Sequence, residues 1–259
     1  TLATPGINGE TVTVDYTDPT AGDDTTATQD IAGNDAASLS NQAVTNNVPD
    51  MTAPSLVSAV TSSNGTTVIL TYDESLDSAN PPVAGDFVVN TDGTPVVITG
   101  VTISGSIATL TLASPVTNGE AVTVSYADPS VANDVNATQD IAGNDAASLS
   151  NQAVTNNVPD TTAPSLVSAA TNGNGTTVML TYDEGLDSAN PPGTTDFVVN
   201  VDGTPVVVTG ITVSGSTANL TLATPVTNGQ TVTMDYADPT TGDDSNATQD
   251  AAGNDAADL

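Results

Sequence analysis

One spacing governs this chain: long stretches of sequence return 110 residues after they first occur. TQDIAGNDAASLSNQAVTNNVPD runs from Thr28 to Asp50 and recurs letter for letter from Thr138 to Asp160, and a third copy opens at Thr248 as TQDAAGNDAADL. TVTVDYTDP at Thr11 returns as AVTVSYADP at Ala121 and TVTMDYADP at Thr231, while TAPSLVSA at Thr52 returns at Thr162. Solenoid units run to about 20–50 residues, whereas a period of 110 matches one self-contained domain per repeat. Residues 1–51 are then the C-terminal part of one repeat, 52–161 a complete repeat, and 162–259 a repeat lacking its last strand. The first part would supply only the close of a fifth strand, followed by the sixth and seventh. That arrangement is expected of a window on a longer array, or of a fibre in which a neighbour's strand completes the open domain.

Within 52–161, runs rich in Val, Thr and Ile alternate between two faces. Val68, Leu70 and Tyr72 share one side of TVILTY, and Ala108, Leu110 and Leu112 share one side of ATLTL, so each strand has a packed and a wet face. Turn pairs separate the runs at Asn64-Gly65, Asp92-Gly93, Ser104-Gly105 and Asn118-Gly119. Seven strands are predicted, at 56–61, 66–72, 86–90, 95–103, 107–112, 121–126 and 152–157. Seven short strands in a repeat of this length predict an all-β fold of tandem immunoglobulin-like β-sandwich domains, here without a Cys pair or Trp.

The charge narrows the chemistry. There are 31 Asp and Glu and no Lys, Arg or His, so nucleic acid and anionic membrane surfaces are not expected partners. With no Cys, His or Lys, disulfides, thiolate metal sites and the usual general bases and Schiff-base nucleophiles are missing. Acid–base chemistry would rest on carboxylates alone, as glycosidases manage, and no enzyme is expected. No apolar run reaches the ~20 residues of a membrane span.

Sending successive turns alternately to two poles puts eight of the complete repeat's eleven acids at one of them: Asp73, Glu74, Asp77, Asp86, Asp128, Asp134, Asp140 and Asp145. Asp50, in the linker that leads into the repeat, joins them. Two carboxylates ~4 Å apart repel by ~4 kcal/mol at an effective dielectric of about 20, so clustering calls for a counter-ion. The chain has no basic side chain to provide one. Hard oxygen donors alone suit Ca2+, which takes six to eight oxygens in flexible geometry, better than Mg2+ with its strict octahedron. The candidate ligands are Asp50, Asp73, Glu74, Asp77, Asp128, Asp140 and Asp145, and their counterparts one period on, Asp160, Asp183, Glu184, Asp187, Asp238, Asp250 and Asp255. The competing reading is that Asp and Asn simply build Asx-turns in a long loop. Pro159 and Pro164 stiffen the chain around Asp160, which is expected over Asp183 and Glu184, where a cation would lock adjacent repeats.

YDESLD at Tyr72, QDIAGND at Gln139 and PDTTAP at Pro159 resemble the immunoglobulin-like repeats of giant bacterial surface proteins, especially the flagellar-system-associated, or swimming-motility, repeats. The resemblance covers the whole chain. It implies an extracellular or cell-surface stalk or fibre, secreted and calcium-dependent, with the ligand-binding tip elsewhere. On that pattern the ligands fall on Asp50, Asp73, Glu74, Asp140 and Asp145 and on their counterparts in the next repeat. Near-identical repeats serve reach and stiffness, so the expected role is an adhesin stalk, spacer or surface filament whose partners are its own neighbouring repeats. Thr-rich edge strands could add lateral or end-to-end self-association. The alternative is a glycan- or partner-binding module of a biofilm matrix. Against it, there is no Trp, and the two Phe and five Tyr all lie in strand runs.

Overall fold

The computed structural model describes residues 2, 4, 6–130, 132–240 and 242–259, so Thr1 lies outside the described residues. The chain forms two compact units, Thr1–Val116 with Glu120–Asn156, and Thr117–Gly119 with Asn157–Leu259.

The first unit opens with an antiparallel ribbon of β1 (Val12–Tyr16) and β2 (Leu39–Val44). The complete repeat follows with β3 (Leu56–Thr61), β4 (Thr67–Tyr72), a 3-10 turn at Ala84–Asp86, β5 (Phe87–Thr91), β6 (Thr94–Val96), β7 (Ile98–Ser104), β8 (Ile107–Leu112), β9 (Val122–Tyr126) and β10 (Leu149–Val154). These strands form two antiparallel sheets in the orders β3-β4-β8-β7 and β10-β9-β5-β6. That pairing is the immunoglobulin-type sandwich the strand pattern predicts. The alternation holds, with Val68, Leu70, Tyr72, Ala108, Leu110 and Leu112 all buried. Phe87 and Tyr126, paired across β5 and β9, stack with ring centroids 5.0 Å apart.

Two strands differ from expectation, each for a local reason. The run at 95–103 is two strands, because β6 pairs with β5 in one sheet and β7 with β8 in the other. Pro95 has no N–H to donate, which suits an edge, and a register shift between Ile98 and Gly100 marks the switch between sheets. The last strand begins at Leu149 rather than 152, since Asn151 adopts a φ of 46° inside a bulge and donates its N–H to Ser125 Oγ. Past β10 the chain crosses to β3, where Thr155 pairs in parallel with Val60.

The second unit repeats the plan with β11 (Leu166–Thr171), β12 (Thr177–Tyr182), β13 (Phe197–Val201), β14 (Thr204–Val206), β15 (Val208–Ser214), β16 (Thr217–Leu222) and β17 (Val232–Tyr236). Its sheets run β11-β12-β16-β15 and β14-β13-β17 around a core that includes Leu180, Val199, Leu220 and Tyr236. Among the described residues no helix is long and apolar enough to cross a membrane.

Candidate metal centres

The segment joining β9 to β10 is held by hydrogen bonds around the buried Ala137 and Ala146. The Thr138 N–H donates to Tyr126 Oη at 2.8 Å, and the Ala146 N–H to the Thr138 carbonyl at 2.7 Å. Asp140 anchors the tip: its Oδ1 accepts the Asn144 N–H and its Oδ2 the Asn144 Nδ2–H, at 2.8 and 2.7 Å. Gly143 completes this tight turn at a φ of 87°, where a side chain would be strained. The Asp77 N–H donates to the Gln139 carbonyl, and Leu76 bridges Asp140, so the loop after β4 is fastened to this one.

That fastening brings Asp50, Glu74 and Asp140 together, each offering a carboxylate oxygen within 4.8 Å of the others. Asp140 is only 3% exposed, and an open cleft of about 490 Å³ between the acids is also lined by Asn8, Asn47 and Pro49. The Asn8 Nδ2–H donates to the Val48 carbonyl. Burial first, then the charges of Asp140, Asp50 and Asp73, push the Glu74 carboxyl above its ordinary value. The second unit repeats the site as Asp160, Glu184 and Asp250, with Asn118 Nδ2–H on the Val158 carbonyl. Glu184 is raised by burial and then by Asp250, Asp160 and Asp183. Burial also raises Asp250, but the hydrogen bonds from Asn254, Ala252 and Gly253 outweigh it and leave a net lowering.

A different kind of triad lies in each β9–β10-type loop: Asp128, Asp134 and Asp145, repeated as Asp18, Asp24 and Asp35 and as Asp238, Asp244 and Asp255. Here the second aspartate's N–H donates to the third's Oδ2, at 2.8, 2.9 and 2.7 Å in the order given. Asp128 Oδ1, Asp134 Oδ2 and Asp145 Oδ1 are sealed from solvent and have no hydrogen-bond partner. Asp18, Asp35, Asp238 and Asp255 each leave one oxygen in the same state. Burial first, then nearby acids, raises Asp145, Asp238 and Asp255. Three like charges within 4.8 Å repel by ~3 kcal/mol per pair at an effective dielectric of about 20. Buried carboxylate oxygens without a donor, on aspartates whose carboxylates gather within 4.8 Å, fit a hard divalent cation of the calcium type.

The predicted ligands therefore divide. Asp50, Glu74 and Asp140, with Asp160, Glu184 and Asp250, form the linker triads, while Asp128, Asp145, Asp238 and Asp255 belong to the loop triads. Asp73, Asp77, Asp183 and Asp187 enter neither kind. Asp73 and Asp183 accept the N–H of Ser55 and Ser165, and Asp77 and Asp187 close Asx-turns on Ala79 with Asn80 and on Ala189 with Asn190. Asp18, Asp24, Asp35, Asp134 and Asp244 were not among the predicted ligands. Their signal is a spacing of six and then eleven residues, present three times in the sequence.

A family model described as "Putative flagellar system-associated repeat" matches residues 49–131 and 159–241. No curated protein matches the chain. Among solved structures, the N-terminal part of the bacterial S-layer protein SbsC is similar at 19% identity and a TM-score of 0.35, over 70% of this chain and 43% of that one. The S-layer protein rSbsC(31-844) aligns at 15% identity and 0.32, over 71% and 32%, and domains 1-6 of surface layer protein SbsC at 15% and 0.34, over 81% and 34%. The chain thus spans less than half the length of these structures. The two family matches together cover more than half of the chain and fall one period apart, and the protein belongs to this flagellar system-associated repeat family.

Proposed function

We propose that this chain is a structural segment of a long extracellular repeat protein, an adhesin stalk, spacer or surface filament, whose junctions are stiffened by calcium. The observation that carries the reading is the linker triad. Asp160 stands between two prolines in the linker, yet its carboxylate lies within 4.8 Å of those of Glu184 and Asp250 in the repeat that follows. The chain holds no Lys, Arg or His to neutralise them. A calcium ion there ties the linker to the next repeat, so that bending the chain means breaking metal–oxygen bonds. The tandem repetition agrees with a role in reach. A glycan-binding role finds little support in the aromatic residues, because Tyr72, Phe87, Tyr126, Tyr182, Phe197 and Tyr236 are all buried and only Tyr16 is half-buried.

The test is Asp160→Asn in the 259-residue chain, followed by small-angle scattering through a calcium titration. The wild type is expected to become longer and less variable as calcium rises, and the variant to need more calcium for the same change, while its repeats melt almost as before. Identical lengthening of both proteins would leave Asp160 a turn residue and remove the stiffening mechanism.

A further inference from the structure

We propose that each β9–β10-type loop holds a calcium ion of its own, on Asp128, Asp134 and Asp145 in the complete repeat, and that this loop site of the complete repeat fills before the linker sites. The inference rests on the calcium reading above but gives the ion a second place and a second role, ordering the inside of a repeat rather than joining two.

The two kinds of triad differ in how ready their oxygens are. In the linker triad both oxygens of Asp140 are taken by Asn144, and Asp50 Oδ1 accepts the Thr52 N–H. A cation there must compete with bonds already made. In the loop triad the division of labour is complete: Asp145 uses Oδ2 to hold the Asp134 N–H and Asp134 uses Oδ1 to hold the Asn136 N–H. Their other oxygens, with Asp128 Oδ1, are buried and unpartnered. Folding has already stripped water from these three atoms, and a buried acceptor without a donor is costly, so an ion finds them prepared. All three ligands come from one loop of one repeat, so no second domain needs to be placed.

The middle repeat has the most open set. Thr20 and Thr240 donate their hydroxyls to Asp24 Oδ2 and Asp244 Oδ2 at 3.0 and 3.1 Å. The corresponding Ser130 donates to the Ala132 carbonyl instead and leaves Asp134 Oδ2 free.

The test uses terbium luminescence, sensitised by the buried tyrosines, and calcium calorimetry on the whole chain as wild type, Asp134→Asn and Asp160→Asn. Two classes of site are expected, the tighter one including the loop triad of the complete repeat. Asp134→Asn should delete one tight site and leave the weak class alone, and Asp160→Asn should do the reverse. Thermal melts separate ligation from a merely structural role: without calcium, Asp134→Asn removes a repelling charge and should melt at or above the wild type, whereas in calcium it should melt below it. A single class of sites that responds to Asp160→Asn but not to Asp134→Asn would overturn this inference and leave the linker mechanism standing. Absence of any binding would overturn both.

Discussion

Gly65 shows how tightly single positions are set. Its φ is 70°, and a Cβ placed there would run into the carbonyl oxygen of Val116, a residue whose N–H donates to the Gly65 carbonyl. Gly93 has nearly the same conformation, at 78°, but open space around it. Gly93→Ala should therefore cost only the left-handed backbone, ~1–2 kcal/mol, and Gly65→Ala clearly more, because the Val116 backbone must move. Denaturant unfolding of the two variants decides this, and equal losses would mean the contact is not there. The buried phenols give a second expectation. Burial first, then Tyr236, pushes Tyr182 from its ordinary 10.0 up to about 12, and burial with Tyr126 nearby raises Tyr72 further. The folded state keeps these protons where the unfolded chain loses them. Their stabilising effect is thus intact below the unfolded value of 10.0 and falls as pH rises through the folded value of about 12. Tyrosinate absorbance from these rings should appear together with loss of the β-sheet signal, and ionisation near pH 10 in a protein still folded would contradict their burial.

Strand β10 closes the complete sandwich, and its last residue shows what closure contributes. Val154 is 7% exposed, whereas Val44, the matching residue of β2, is 43% exposed. Val154→Ala is expected to destabilise by about 2 kcal/mol and Val44→Ala by less than about 0.5, measured by thermal unfolding. The same contrast shows where the sequence was readable. Alternation in TVILTY and ATLTL is a strong local signal with a single packed solution, and β4 and β8 follow it to within a residue. The division of β6 from β7 is set by which sheet each pairs with, and β10 starts early through a bulge, neither of which alternation records. The acids divide in the same way. That the loops after β4 and β9 meet followed from counting turns, which brought Glu74 to Asp140. Whether an aspartate spends its oxygens on the backbone depends on donors that composition does not record, 2 residues away for Asp77 and 18 for Asp73, so neither could be told from Asp134.

The whole molecule carries a formal charge of −31 with no basic residue to offset any of it. Among the described residues five carboxylate triads concentrate that charge, three inside loops and two at linkers. Spread evenly, such charge would only keep the chain soluble; gathered in threes it opposes folding unless cations from solution bind. A cation held only by the folded state stabilises it by RT ln(1 + [L]/Kd), ~2.7 kcal/mol per site at a hundredfold excess over Kd. On the calcium reading proposed above, the gains from several sites accumulate, and stability is expected to follow the calcium concentration. The most direct measurement is the melting temperature of the chain in millimolar calcium and in EDTA at matched ionic strength. It should be markedly higher in calcium, by far more than in magnesium at the same concentration. Equal melting temperatures in calcium and EDTA would mean that the triads bind no ion and that the charge serves solubility alone.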